Sequence, residues 1–178
     1  MEIIEILKYT LPSVVALVGV YLLVAKFLEE ERNRMMAVQK HQISKENQKT
    51  TLPLRLQAYE RLTLFMERCH PNSLLNRVRE PGMNVAAFRE ALTISIRSEY
   101  EYNLTQQLFV SPEVWKLTTQ IKDQMINLVH QIADKLSPEA PAADLAKAIF
   151  NYIIEVEEGQ FPTEVGLRYL KDEVRAIL

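Results

Sequence analysis

Glycine and cysteine are the scarce residues of this chain. Only Gly19, Gly82, Gly159 and Gly166 occur in 178 residues, and none falls in G-x-G-x-x-G or G-x-x-x-x-G-K-[ST], the spacings that let a backbone cradle phosphates. A dinucleotide fold and a P-loop are thereby disfavoured. The single cysteine, Cys69, builds no disulfide framework, as expected of a reducing compartment. Neither sign of charge dominates: 21 basic residues stand against 23 acidic ones for a net charge of −2, interleaved along the chain. Without a basic stripe, nucleic acid is not an expected ligand. No stretch alternates with period two long enough to make a strand, and no G-x-S-x-G occurs.

What the chain has instead is one long uncharged run followed by amphipathic ones. Tyr9–Leu28 reads YTLPSVVALVGVYLLVAKFL, uncharged from Tyr9 to Ala25 and bracketed by Lys8 and Lys26. As a helix it rises about 30 Å, the thickness of a bilayer's hydrocarbon core. The nine Leu and Val residues within Leu11–Ala25 favour insertion by roughly 3–5 kcal/mol. The run is therefore read as a single membrane-spanning helix, with the lipid bilayer as its partner. Glu2 and Glu5 spoil the basic start of a signal peptide and no A-x-A follows, so cleavage is not expected. Lys26, Arg32, Arg34, Lys40 and Lys45 follow the run against Lys8 before it, which orients the N-terminus outside and the C-terminal part in the cytoplasm, a single-pass protein of the inner membrane.

The expected layout is residues 1–28 as tail and anchor, 29–52 as a helical stalk, and 53–178 as a cytoplasmic helical bundle. Glu29–Lys49 is rich in helix formers and free of Gly and Pro. Leu28, Met35 and Val38 hint at a heptad that Glu31, Gln42 and Lys45 interrupt. Thr50-Thr51-Leu52-Pro53 is read as the end of the stalk, because a residue before proline is pushed out of the α region. Helical spacing then recurs at Leu54, Ala58, Leu62, Phe65 and Cys69, stopping near His70-Pro71, with Pro71-Asn72-Ser73 capping a short segment around Leu74–Val78.

Asn84 opens a long helix with Phe88, Leu92, Ile96, Tyr100, Leu104 and Leu108 in i,i+4 succession. Ser111-Pro112-Glu113 starts the next, whose stripe Val114, Leu117, Ile121, Met125, Leu128, Ile132 and Leu136 marks a central core helix. Leu145, Ile149, Tyr152, Ile153 and Val156 form another, closed by Gly159, and Pro162-Thr163 opens a last one burying Gly166, Leu170, Val174 and Ile177. The expected class is all-α: an N-terminal transmembrane helix, a helical stalk, then a compact bundle of about five helices.

Two strings, LQAYERLTLFMERCHPNSLLNRV (Leu56–Val78) and RSEYEYNLTQQLFVSPEVW (Arg97–Trp115), resemble the recurring blocks of an uncharacterised bacterial family of short proteins. That resemblance implies one N-terminal membrane helix and a helical cytoplasmic domain. It implies no activity and carries over no functional residue.

Candidate chemistry is sparse. Glu67-Arg68-Cys69-His70 holds one Glu-x-x-His step, half of a di-iron bundle site, but His41 follows Val38 and His130 follows Asn127 at the required offset. No metal, cofactor or catalytic residue is assigned. Cys69 and His70 are neighbours that a helix points about 100° apart, so a dyad needs His41 or His130 brought in by the fold. The denser polar cluster surrounds Glu99, Tyr102, Asn103, Gln106 and Gln107. It is read either as a satisfied buried network or as a face for a protein partner, with self-association as a further option. The functional expectation is a membrane-tethered interaction or scaffolding module. Its alternatives are an accessory subunit of a larger membrane complex and an enzyme whose site forms only in three dimensions.

Overall fold

A computed structural model describes residues 2–157 and 159–178, with the side chains of α1 described at Ala16–Met36, Val38, Gln39, Gln42, Glu46 and from Lys49 onward. Among the described residues the chain is all-helical: α1 (Glu2–Cys69), α2 (Pro71–Val78), α3 (Val85–Tyr102), a 3-10 turn (Leu104–Leu108), α4 (Pro112–Ala133), α5 (Ala142–Glu155) and α6 (Pro162–Ile177). Backbone contacts divide it into two units, 1–51 and 52–178.

In the first unit the membrane-span reading is corrected. No helix among the described residues is long and apolar enough to cross a membrane. The uncharged run ends at Ala25, and Lys26 and the charged cluster Glu29–Arg34 follow it. The remainder of the expected span, Tyr9–Val15, lies outside the described side chains. The single-pass inner-membrane placement and the orientation built on the flanking lysines fall with the span. What stands is an exposed apolar stretch: Leu17, Tyr21, Leu23 and Phe27 are 65–72% solvent-accessible.

The helix also passes the expected break at Thr50–Pro53 without interruption. Pro53 lacks an N–H, an interior loss worth about 3 kcal/mol. Thr50 stays within the helix, its Oγ1 donating to the Glu46 carbonyl at 3.1 Å. The apolar face that follows gives the helix a reason to continue, since Ala58, Tyr59, Leu62, Phe65, Met66 and Cys69 are all buried.

The second unit is built around α4. Val114, Ile121, Met125, Leu128 and Ile132 are buried along the expected stripe, with Ile126, Val129 and Ala133 widening it. Accordingly α3, α5 and α6 all pack against α4. Ser111 Oγ accepts from the Val114 N–H at 3.1 Å with Pro112 at the first turn, the cap expected of Ser-Pro-Glu. Asn84 caps α3 through its Oδ1, which accepts from the Ala87 N–H at 2.9 Å. The start of α3 is tied to the α4–α5 loop as well: the Val85 N–H donates to the Ala140 carbonyl and the Ala142 N–H to the Met83 carbonyl. Two local expectations are corrected. The cap of α2 is His70, whose Nδ1 accepts from the Asn72 N–H at 3.3 Å, and α3 stops at Tyr102 rather than running to Phe109.

Candidate functional site

The end of α3 shapes a stretch where charged, aromatic and apolar side chains from three helices meet around the sequence-predicted face. At Asn103 the backbone turns to φ −102°, ψ 5°, and the Asn103 Nδ2 donates to the Glu99 carbonyl at 2.8 Å. Such local side-chain bonding competes with the helical ladder. It breaks α3 and leaves Tyr102 standing 71% exposed. Past the break Leu104 and Leu108 face solvent rather than the core, so the i,i+4 stripe ends at Tyr100. The Tyr100 ring stays packed, stacked on Trp115 and edge-on to Phe65, with its hydroxyl 2.9 Å from Thr119 Oγ1.

Glu99 sits at the centre of an ion network. Its Oε1 accepts from Arg68 Nε at 2.7 Å, lies 2.6 Å from Arg68 Nη2, and accepts from Arg77 Nη1 at 2.9 Å. Arg77 Nη2 donates to the Arg68 carbonyl at 3.2 Å. One carboxylate thus joins α1, α2 and α3; its side chain is only 14% exposed, but Arg68 and Arg77 are 52% and 35% exposed, so salt still reaches the pairs. The hydrogen bond and charge of Glu99 hold the Arg68 guanidinium above its ordinary range.

Beside this network, Arg61, Leu64, Phe65, Arg68, Ser98, Glu99, Tyr102 and Asn103 line a groove of about 490 Å³. The Arg61 guanidinium lies 5.6 Å from the centre of the Tyr102 ring, a cation–π contact across the groove. Of the five residues expected on the partner face, Glu99, Tyr102 and Asn103 line this groove. Gln106 and Gln107 do not: their amides make local bonds in the 3-10 turn, to Thr105 Oγ1 and to the Leu104 carbonyl. Arg61, Leu64 and Arg68 were missed, although i, i+3, i+7 spacing puts them on one face of α1.

The Glu-x-x-His step gathers nothing around it. Among the described residues no three His, Cys, Asp or Glu side chains converge as a metal site would need. His70 caps α2 and meets Phe161 edge-on at 5.4 Å, and His130 Nε2 lies 3.1 Å from Thr93 Oγ1. His41 lies outside the described side chains. Cys69 is buried, and burial first, with Glu99 second, pushes its thiol up to about 12, so it is no activated nucleophile at neutral pH.

A family model described as a family of unknown function, DUF7935, matches residues 1–177. The chain belongs to that family. No curated protein and no solved structure matches it. Membership of this DUF7935 chain in an uncharacterised family is thus secure, whereas the membrane helix and bacterial source implied by the sequence resemblance have no support here.

Proposed function

We propose that this chain is a helical protein-interaction module whose docking face is the groove between α1 and α3. The observation that carries the reading is Tyr102, an aromatic ring exposed at a helix end and sharing one groove with Leu64, Arg68 and Glu99 of the Arg68–Glu99–Arg77 network. Exposed aromatics and arginines over a braced floor are the composition of binding hot spots. Because the floor is already hydrogen-bonded, a partner would not have to order it, which lowers the cost of docking.

A photo-crosslinking amino acid in place of Tyr102, with the same label at exposed Ile154 as control, tests the reading in cells. A discrete adduct formed from position 102 and absent from position 154 supports it; equal labelling at both, or none at 102, contradicts it.

A second reading, self-association through the first unit, is favoured by one observation. Leu17, Tyr21, Val24, Leu28, Met35 and Val38 are all at least 50% exposed and recur at three- and four-residue steps, interrupted at Glu31, the seam a second copy of the same helix would cover. Sedimentation of the full chain as a monomer at every concentration would exclude it.

A further inference from the structure

We infer that the occupant of the α1–α3 groove is an acidic peptide segment with an apolar anchor between its carboxylates. This rests on the docking reading and adds the chemistry of the partner. Two guanidinium groups, from Arg61 and Arg68, line the groove against the single carboxylate of Glu99, which Arg77 also pairs from outside the lining. That carboxylate is already committed to Arg68 and Arg77 through one oxygen. Arg61 forms no ion pair among the described residues, and its guanidinium lies over the face of Tyr102. The groove therefore presents unneutralised positive charge on a chain whose overall charge is −2.

The spacing sets the pattern of the ligand. Arg61 and Arg68 are seven residues apart on one helix, roughly 10 Å along its axis. Leu64, 52% exposed, lies between them, and the Tyr102 ring forms the opposite wall. Of two acids separated by that distance, one would pair bidentately with Arg61 and the other would meet the N–H groups of Arg68 that Glu99 leaves free. An aliphatic or aromatic residue between them would cover Leu64 and Tyr102. A basic segment would meet like charge at both ends and be rejected.

The test is selection of short random peptides displayed on phage against the full chain, followed by fluorescence anisotropy of the enriched peptides on wild type, Arg61→Glu, Arg61→Gln and Tyr102→Ala. Arg61 carries no structural ion pair, so circular dichroism and melting of its variants should match wild type. The expected consensus is acid–apolar–acid, weakened about tenfold or more by Arg61→Glu, less by Arg61→Gln, and lost when the peptide's acids become lysines. A neutral or basic consensus that still disappears with Tyr102→Ala overturns this inference and leaves the docking reading standing. Peptides indifferent to Tyr102→Ala, or no enrichment, overturn both.

Discussion

Tyr59 donates its phenolic hydrogen to Glu173 Oε2 at 2.5 Å, across 114 residues of sequence. The other oxygen of the same carboxylate accepts from Ser111 Oγ at 2.6 Å. Since Ser111 also caps α4, one acid on α6 fastens α1, the start of α4 and itself into a single clasp. Hydrogen bonds to a charged acceptor contribute about 1.5–3 kcal/mol each. Glu173→Ala should therefore destabilise the fold by about 2–3 kcal/mol, and Tyr59→Phe by about 1–2. In a double-mutant cycle by urea melting the two losses should fall short of additivity, whereas simple additivity would mean the contact contributes nothing.

Gly166 lies where α6 packs closely against α1 and α4. A Cβ placed there would lie 2.6 Å from Ile121 Cδ1 and 2.8 Å from Met66 Sδ, too close without movement. An alanine in a helix interior gains about 1 kcal/mol over glycine, while overpacking a core costs about 1–3. With two side chains displaced, the steric loss should win, so Gly166→Ala lowers stability by about 1 kcal/mol. Ile121→Val removes the nearest atom and should recover part of that loss in the double variant.

Alkaline pH should loosen the core through Cys69. Unfolded, its thiol ionises at the ordinary 9.0; folded, it does so only at about 12. The folded state thus holds the proton through that interval, so its contribution is fully present below pH 9 and declines as pH rises toward 12. At 1.36 kcal/mol per unit the total is up to about 4 kcal/mol. Tyr59, raised above 10.0 mainly by burial and then by its bond to Glu173, acts in the same direction. Denaturant melts across this range should show a shallower decline for Cys69→Ala than for wild type, and a thiol reagent should label Cys69 only on unfolding.

Glu99→Gln should release α2 before it unfolds the bundle. Arg68 is 52% exposed and Arg77 35%, so the two lose an ion partner largely in contact with water. The global cost should be about 1 kcal/mol and smaller at high salt. Amide exchange should accelerate in Pro71–Val78 and remain unchanged in α4; uniform acceleration would mean that the network does not hold α2 in particular.

Elements that announce themselves locally were legible. Asn84, and Ser111 with Pro112, mark helix starts because a cap needs only its own next turn, and the α4 stripe is legible because burial on one face repeats every three or four residues. The break at Asn103 was not: the stripe beside it continues to Leu104 and Leu108, and only its bond to the Glu99 carbonyl shows which of two local arrangements wins. The continuation through Pro53 was missed for the opposite reason, since packing beyond it overrides a local breaker. At the groove, Glu99, Tyr102 and Asn103 are close in sequence, while Arg68 and Arg77 reach Glu99 across 31 and 22 residues, separations that periodicity does not encode. In the first unit the apolar run was legible but not its environment, and no helix among the described residues is long and apolar enough to cross a membrane.

The groove is tested most directly by titrating an acid–apolar–acid peptide into isotopically labelled full-length chain and following backbone amides with arginine Nε–H signals by NMR. Docking there requires saturable shifts centred on Arg61, Leu64, Arg68, Ser98, Tyr102 and Asn103, weakening as salt is added. Shifts centred instead on the separate surface lined by Gln124, Asn127, Gln131 and Tyr152, or none at saturating peptide, would contradict it.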